Sequence, residues 1–293
     1  MKLTDLDHRP LIVAAVTPLT DDGAALDEAA IEPYSAFLAS HGADGVFACG
    51  TTGEGVLLSL DERRRAATAF RRGTPGVLVV HAGAQTTADT VALASHAAEI
   101  GADAVAVIPP PYFALDVDAL TAHFVAAARA CAPLPFYCYA FTARSGYPLP
   151  VEVIRRIGES VDNLAGLKVS ESPLDRVEPY LELGLPVLIG NEPLIADGLA
   201  GGAIGTVSGM AAALPDIVRR ALDEADGAAM ERLRDVRGAM EASGQFIAAA
   251  KHVLAVRGVP VGAGMRAPLR ELTASEAATL ETAIARFLEP ALA

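Results

Sequence analysis

One lysine, a pair of threonines, one tyrosine and one arginine occupy positions from which they could do chemistry together. Lys168 lies in Leu164-Ala165-Gly166-Leu167-Lys168-Val169-Ser170, a short run that is otherwise apolar around it. The chain holds only three lysines, Lys2, Lys168 and Lys251, and arginine supplies nearly all other positive charge. Burial penalises an ammonium, so the pKa of a lysine on such a strand should fall. A neutral amine at moderate pH is a nucleophile that forms a Schiff base with a carbonyl. The structural alternative is a lysine paired with a carboxylate or reaching to solvent.

Gly50-Thr51-Thr52-Gly53-Glu54 is a turn of small residues whose amides could hold a carboxylate and whose hydroxyls could relay a proton. A tight turn capped by threonine is the plainer reading. Tyr139 closes another apolar run, where a tyrosine either works as an acid–base group or sits in the core with its hydroxyl at the rim. Arg144, beside Ser145-Gly146, could clamp a carboxylate with its planar guanidinium or simply be solvated.

These residues are far apart in sequence, so a fold must gather them. Apolar runs at Leu11–Val16, Val46–Cys49, Val77–His81, Ala104–Ile108, Phe136–Ala140, the Lys168 segment, Val187–Ile189 and Ala203–Val207 read as strands. Helical patterns lie between them: Asp27–Ser40, Leu60–Arg72 entered through Ser59 or Asp61, Thr87–Ile100, Asp118–Ala130, a short helix from Pro150, Leu174–Leu183 and Pro193–Ala200. A loop is expected after Ala140, up to Gly146. Regular β–α alternation with short connections implies a parallel sheet. Eight such units fit a closed (β/α)8 TIM barrel, whose usual size is about 250 residues. An open doubly wound sheet is the competitor, but no glycine-rich dinucleotide fingerprint follows the first strand. After Leu214 the pattern turns wholly helical, at Pro215–Glu224, Ala228–Ser243, Gln245–Arg257 and Ser275–Leu288. The expected division is therefore a catalytic α/β barrel over residues 1–225 and a C-terminal helical extension over residues 226–293, packed as one unit. In such a barrel the active site lies at the C-terminal ends of the strands, where Lys168, Thr51, Thr52, Tyr139 and Arg144 all fall. Val207, at the end of the eighth strand, and Gly50 complete the expected substrate-binding set.

A net charge of −13 argues against nucleic acid as a partner, without forbidding an anionic substrate at a local positive site. Cys49, Cys131 and Cys138 form no CxxC motif and leave one over, which reads as reduced thiols in a cytoplasmic protein. Residues 1–10 carry charges and no apolar h-region, so no signal peptide is read there, and no uncharged run approaches a membrane span. No metal and no cofactor is expected, because short His/carboxylate motifs such as HExxH are lacking and His8, His41, His81, His96, His123 and His252 are scattered.

Taken together the motifs resemble the dihydrodipicolinate synthase/N-acetylneuraminate lyase family of class I pyruvate-dependent aldolases and lyases. The resemblance runs from Val16-Thr17-Pro18-Leu19 and Asp22-Gly23 through Gly50-Thr51-Thr52-Gly53-Glu54, Pro109-Pro110-Pro111-Tyr112-Phe113, Tyr139, Arg144-Ser145-Gly146 and Gly166-Leu167-Lys168 to Arg266-Ala267-Pro268-Leu269. It implies that Lys168 attacks the ketone of pyruvate or another 2-oxo acid and that Tyr139 is the acid–base group. Thr51 and Thr52 would hold the carboxylate, with Thr51 also in a proton relay. It further implies a homodimer or homotetramer in which a tyrosine from a neighbouring subunit completes that relay. The matching segment here has one residue more than expected, leaving open whether Tyr112 or Phe113 stands at that place.

Other departures are Ala140-Phe141-Thr142, where Asn-x-Pro is usual, and Val169-Ser170-Glu171-Ser172 after the lysine. Arg144 is similar to the synthase subgroup, where that arginine binds a substrate carboxylate. The leading expectation is condensation of pyruvate with an aldehyde such as aspartate semialdehyde. The alternative is a 2-keto-3-deoxy sugar acid aldolase or dehydratase, or a 4-hydroxy-2-oxoglutarate-type aldolase. A non-catalytic binding protein on the same barrel and a metal-dependent aldolase are the readings from other classes.

Overall fold

A computed structural model describes residues 6–288; residues 1–5, part of the segment read above for a leader, and residues 289–293 lie outside the described range. Eight parallel strands close on themselves in chain order: β1 (Leu11–Ala14), β2 (Gly45–Ala48), β3 (Val77–His81), β4 (Ala104–Val107), β5 (Phe136–Ala140), β6 (Leu164–Val169), β7 (Val187–Ile189) and β8 (Gly205–Ser208). Between them run α1 (Ile31–Ser40), α2 (Leu60–Gly73), α3 (Thr87–Glu99), α4 (Val117–Cys131), α5 (Thr142–Ser145), α6 (Val151–Ser160), α7 (Glu178–Leu181) and α8 (Ile195–Ala200). Helices α9 (Pro215–Glu224), α10 (Gly227–Glu241), α11 (Phe246–Val256) and α12 (Ala274–Leu288) follow β8.

The strands are short and almost entirely buried because both faces are covered, as parallel sheets require. One face packs against the helices in a core that includes Phe70, Phe124, Phe136 and Leu167. The other fills the barrel with Ile12, Phe47, Val79, Ala106, Tyr137, Tyr139, Leu188 and Val207. The chain therefore has no open lumen, and a ligand can enter only at the ends of the strands.

Helix α2 starts at Leu60 as expected, and of the two candidate caps Ser59 is the one used, through a capping box in which Ser59 and Glu62 satisfy each other's backbone N–H groups. Several elements differ from expectation for identifiable reasons. The expected helix over Leu174–Leu183 is a 3-10 turn and the four-residue α7, because Pro179 brings no N–H and favours a helix start. Pro193 likewise splits its segment into a 3-10 turn and α8. The loop after Tyr139 contains the one-turn helix α5, whose C-cap Gly146 adopts φ 87°. Among the described residues no helix is long and apolar enough to cross a membrane.

A buried ion pair ties the last helices to the barrel. Lys251 on α11 is fully buried and donates to Glu54 Oε1 at 2.7 Å and to the Gly264 carbonyl at 2.6 Å. The other oxygen of Glu54 accepts from Arg266 N at 2.7 Å. The threonine turn after β2 is thereby fastened from the side of the helical extension.

Candidate active site

Strand register brings the principal pair together. Lys168 on β6 is the ladder partner of Tyr139 on β5 and of Leu188 on β7, so its side chain rises inside the barrel. It is 3% exposed and forms no ion pair among the described residues. Its Nζ lies 4.0 Å from the centre of the Phe47 ring and 4.1 Å from that of Tyr139. Burial brings the amine down to about 7, while the Glu192 carboxylate pulls the other way. The two ring faces also favour the charged amine, by about 0.5–2 kcal/mol each.

Tyr139 is also buried, and its phenol is raised by desolvation, opposed by hydrogen bonds to the side chains of Thr51 and Ser170 and by the charge of Arg144. Ser170 follows Lys168 by two residues and keeps to the same face of the chain. Gly190 leaves room for it, since a Cβ there would lie 1.9 Å from Ser170 Oγ.

The turn from Cys49 to Gly55 is tight because Cys49 and Glu54 both take left-handed conformations, at φ 58° and 55°. Gly55 N donates to the Gly50 carbonyl at 3.1 Å, and a Cβ on Gly55 would lie 1.9 Å from the Cys49 oxygen. Thr17 Oγ1 donates to the Gly53 carbonyl at 2.7 Å, anchoring the turn to the end of the first strand's loop. These constraints present Thr51 and Thr52 to the cavity. Gly50 itself is buried against Phe47 and shapes the turn without lining the cavity.

A cavity of about 290 Å³ opens above these groups and is lined by Thr51, Thr52, Tyr139, Arg144, Lys168 and Val207 among others. Arg144 reaches it from α5. That helix is held by Glu171, whose Oε1 accepts from Thr142 N at 2.7 Å and Thr142 Oγ1 at 2.9 Å. Arg144 stacks on Phe141 at 5.6 Å and forms no ion pair among the described residues, so its charge is available to a ligand.

Tyr112 is the expected site residue that the fold does not bring in. It is 86% exposed, at φ 86°, in ring contact with Phe113, which is 71% exposed. Neither ring lines the cavity.

Sequence reasoning missed the wall opposite Arg144. Glu192, after β7, is buried; its Oε1 accepts from Ser208 Oγ at 2.8 Å and Met210 N at 3.0 Å, and its Oε2 from Arg237 at 2.7 Å. Arg237 comes from α10, a helix beyond the barrel strands. A carboxylate just past a strand end was a usable signal for Glu192, whereas Arg237 reads in sequence as a solvated i,i+4 partner of Glu241. His81 was read as a scattered histidine and is a buried neighbour of the site. Its ring is 6.0 Å from Tyr139 and 5.8 Å from Phe47, and desolvation together with the Arg63 and Lys168 charges holds it well below its ordinary pKa. Among the described residues no group of three or more His, Cys, Asp or Glu side chains could hold a metal ion.

With the geometry established, residues 7–287 match the Dihydrodipicolinate synthetase family. The chain belongs to that family. It is 35% identical to a DapA-like lyase of Halobacterium salinarum, over 94% of this chain and 92% of that protein. It is 34% identical to the N-acetylneuraminate lyase of Rattus norvegicus, over 67% of this chain and 64% of that protein. Its fold matches the dihydrodipicolinate synthase of Cyanidioschyzon merolae with a TM-score of 0.87 at 26% identity, covering 95% of this chain and 98% of that one. The protein is thus an enzyme of the class I lyase kind found in this family, acting on small molecules.

Proposed function

We propose that this protein joins or cleaves a 2-oxo acid such as pyruvate and an aldehyde through a Schiff base on Lys168. The observation that carries the reading is the buried Lys168 amine, brought to about 7 without an ion-pair partner and facing the Tyr139 ring at 4.1 Å. A neutral fraction of the amine is present at physiological pH. Nζ attacks the ketone carbon of the 2-oxo acid, and Tyr139 delivers the proton with which the former ketone oxygen leaves as water. The Tyr139 phenolate then takes a proton from the carbon next to the iminium, whose C–H electron pair moves into the C=N+ group to give the enamine. The enamine carbon adds to the aldehyde, whose oxygen is protonated through Tyr139 and Thr51. Water hydrolyses the product iminium to free Lys168, and cleavage runs the same steps backwards.

Thr51 and Thr52 hold the 2-oxo acid carboxylate, with the Thr51 hydroxyl passing protons to and from Tyr139. Arg144, free of acid partners, takes a carboxylate on the second reactant. Val207 forms an apolar floor to the cavity. Tyr112, exposed beside Phe113, serves the relay of another copy in a homodimer or homotetramer, and Gly50 acts through the shape of its turn.

Aspartate semialdehyde and sugar-derived hydroxyaldehydes are the two kinds of second reactant to test. Product formation is measured with pyruvate and each aldehyde, with and without a metal chelator. Turnover that requires both reactants and survives chelation is expected. Inactivity with every aldehyde, or loss of turnover on chelation, would overturn the reading.

A further inference from the structure

The two arginines that line the cavity are in opposite electrostatic states. Arg144 has no acid partner among the described residues, whereas Arg237 has two. Its Nε donates to Glu241 Oε1 at 2.9 Å, and its Nη1 to Glu192 Oε2 at 2.7 Å and to Asn191 Oδ1 at 2.8 Å. A guanidinium carries five N–H groups, so the two on Nη2 are left without a partner among the described residues. Glu241 and Gln245 line the same cavity, and Glu241 Oε2 and the Gln245 carboxamide make no hydrogen bond among the described residues. The turn that places them is fixed: Gln245 N donates to Ser243 Oγ at 3.1 Å, and Gly244 takes φ 70°.

We infer that Arg237, Glu241 and Gln245, supplied by the helices beyond the barrel, form the subsite that selects the second reactant, and that it reads hydroxyl groups. The inference rests on the Schiff-base reading and chooses among its aldehydes. A carboxylate would meet Glu192 and Glu241 beside an arginine that they already neutralise. An ammonium offers only donors, and would face the unused Nη2 donors. An apolar chain would leave those donors and the Glu241 and Gln245 acceptors unpaired, which is unfavourable away from water. A hydroxyl both donates and accepts, and can satisfy Arg237 Nη2 and Glu241 Oε2 together. Arg237 is therefore a specificity-determining residue, and its partner Glu192 fixes its position from the barrel side.

The test compares kcat/KM for glyceraldehyde, propanal and aspartate semialdehyde, each with pyruvate, in the native enzyme, R237Q and E241Q. The native enzyme should prefer glyceraldehyde over propanal by at least about tenfold, the scale of a hydrogen bond to a charged group. R237Q should bring that ratio towards one, chiefly through KM. E241Q leaves the Arg237–Glu192 contact in place and lies at the half-exposed rim, so it guards against a folding defect in R237Q; it should lower the ratio about threefold. Equal kcat/KM for glyceraldehyde and propanal in the native enzyme would overturn the inference. So would equal losses for all three aldehydes in both variants, or a preference for aspartate semialdehyde that R237Q abolishes. Borohydride trapping of pyruvate on the native enzyme, done in parallel, separates these outcomes from failure of the Schiff-base reading itself.

Discussion

Lys168 and Lys251 are both buried lysines in the same chain, and they behave as opposites. Lys251 meets Glu54 at 2.7 Å and a backbone carbonyl at 2.6 Å, so two of its donors fasten α11 to the turn after β2 and to the Gly264 loop. Lys168 meets two aromatic faces and, among the described residues, pairs with no carboxylate. Burial lowers both amines, but only at Lys251 does a contacting carboxylate oppose the shift as the next largest influence. At Lys168 the opposing charge is Glu192, already engaged by Arg237, Ser208 and Met210. Burial alone does not make a lysine a nucleophile; burial without a counter-charge does.

The largest expected effect that sharpens this contrast is on Lys168→Met, which should remove turnover altogether while the protein remains folded. Its stability should rise in acid. Because the folded amine titrates near 7 and an unfolded lysine near 10.5, the unfolded chain binds more protons between those values, and this group's contribution improves as pH climbs through that window. Below pH 7 the full penalty applies, so the methionine variant should gain on the order of a few kcal/mol at pH 6, with the gain fading towards pH 10. Urea unfolding at the two pH values measures it; a variant less stable than the native protein at pH 6 would contradict the unpaired state of this amine.

Lys251→Met should instead destabilise the protein. It strands the Glu54 carboxylate in the interior, at about 3–5 kcal/mol. The pair of substitutions Lys251→Met and Glu54→Gln should recover part of that loss, as read by the midpoint of urea unfolding. A single variant as stable as the native protein would erase the distinction between the two lysines.

The smallest effect concerns Glu171, which acts on the site only by capping α5 beneath Arg144. Glu171→Ala should raise KM for a carboxylate-bearing aldehyde several-fold and leave that for an uncharged aldehyde nearly constant, in line with a loss of about 1 kcal/mol of capping. Equal changes for both aldehydes would show that α5 does not position Arg144.

What was legible in the sequence follows from what is local. Lys168, Tyr139 and the Thr51-Thr52 turn stand at or near strand ends, and the β–α alternation alone brings strand ends together. The cap of α2 was legible only as Ser59 or Asp61, and the reciprocal bonds between Ser59 and Glu62 decide it. The helical segment after Pro173 was overread because periodicity outweighed Pro179 in the reading, whereas the missing N–H decides the helix start. Arg237 was illegible for another reason: its place depends on which face of α10 packs over the barrel mouth, and that is set by contacts distant in sequence. The same holds for Glu171, whose capping of α5 spans twenty-nine residues. Tyr112 was singled out only through the family resemblance, as an alternative to Phe113, and the fold leaves both rings exposed and outside the cavity.

The most direct test of the central claim is borohydride reduction of the protein with pyruvate across pH 5–9, followed by peptide mapping. The account predicts one pyruvyl adduct, on the peptide containing Lys168 and absent from that containing Lys251, with an initial trapping rate that rises with pH through about 7. An adduct on Lys251, no adduct on either lysine, or a trapping rate that begins to rise only near the ordinary lysine pKa would contradict it.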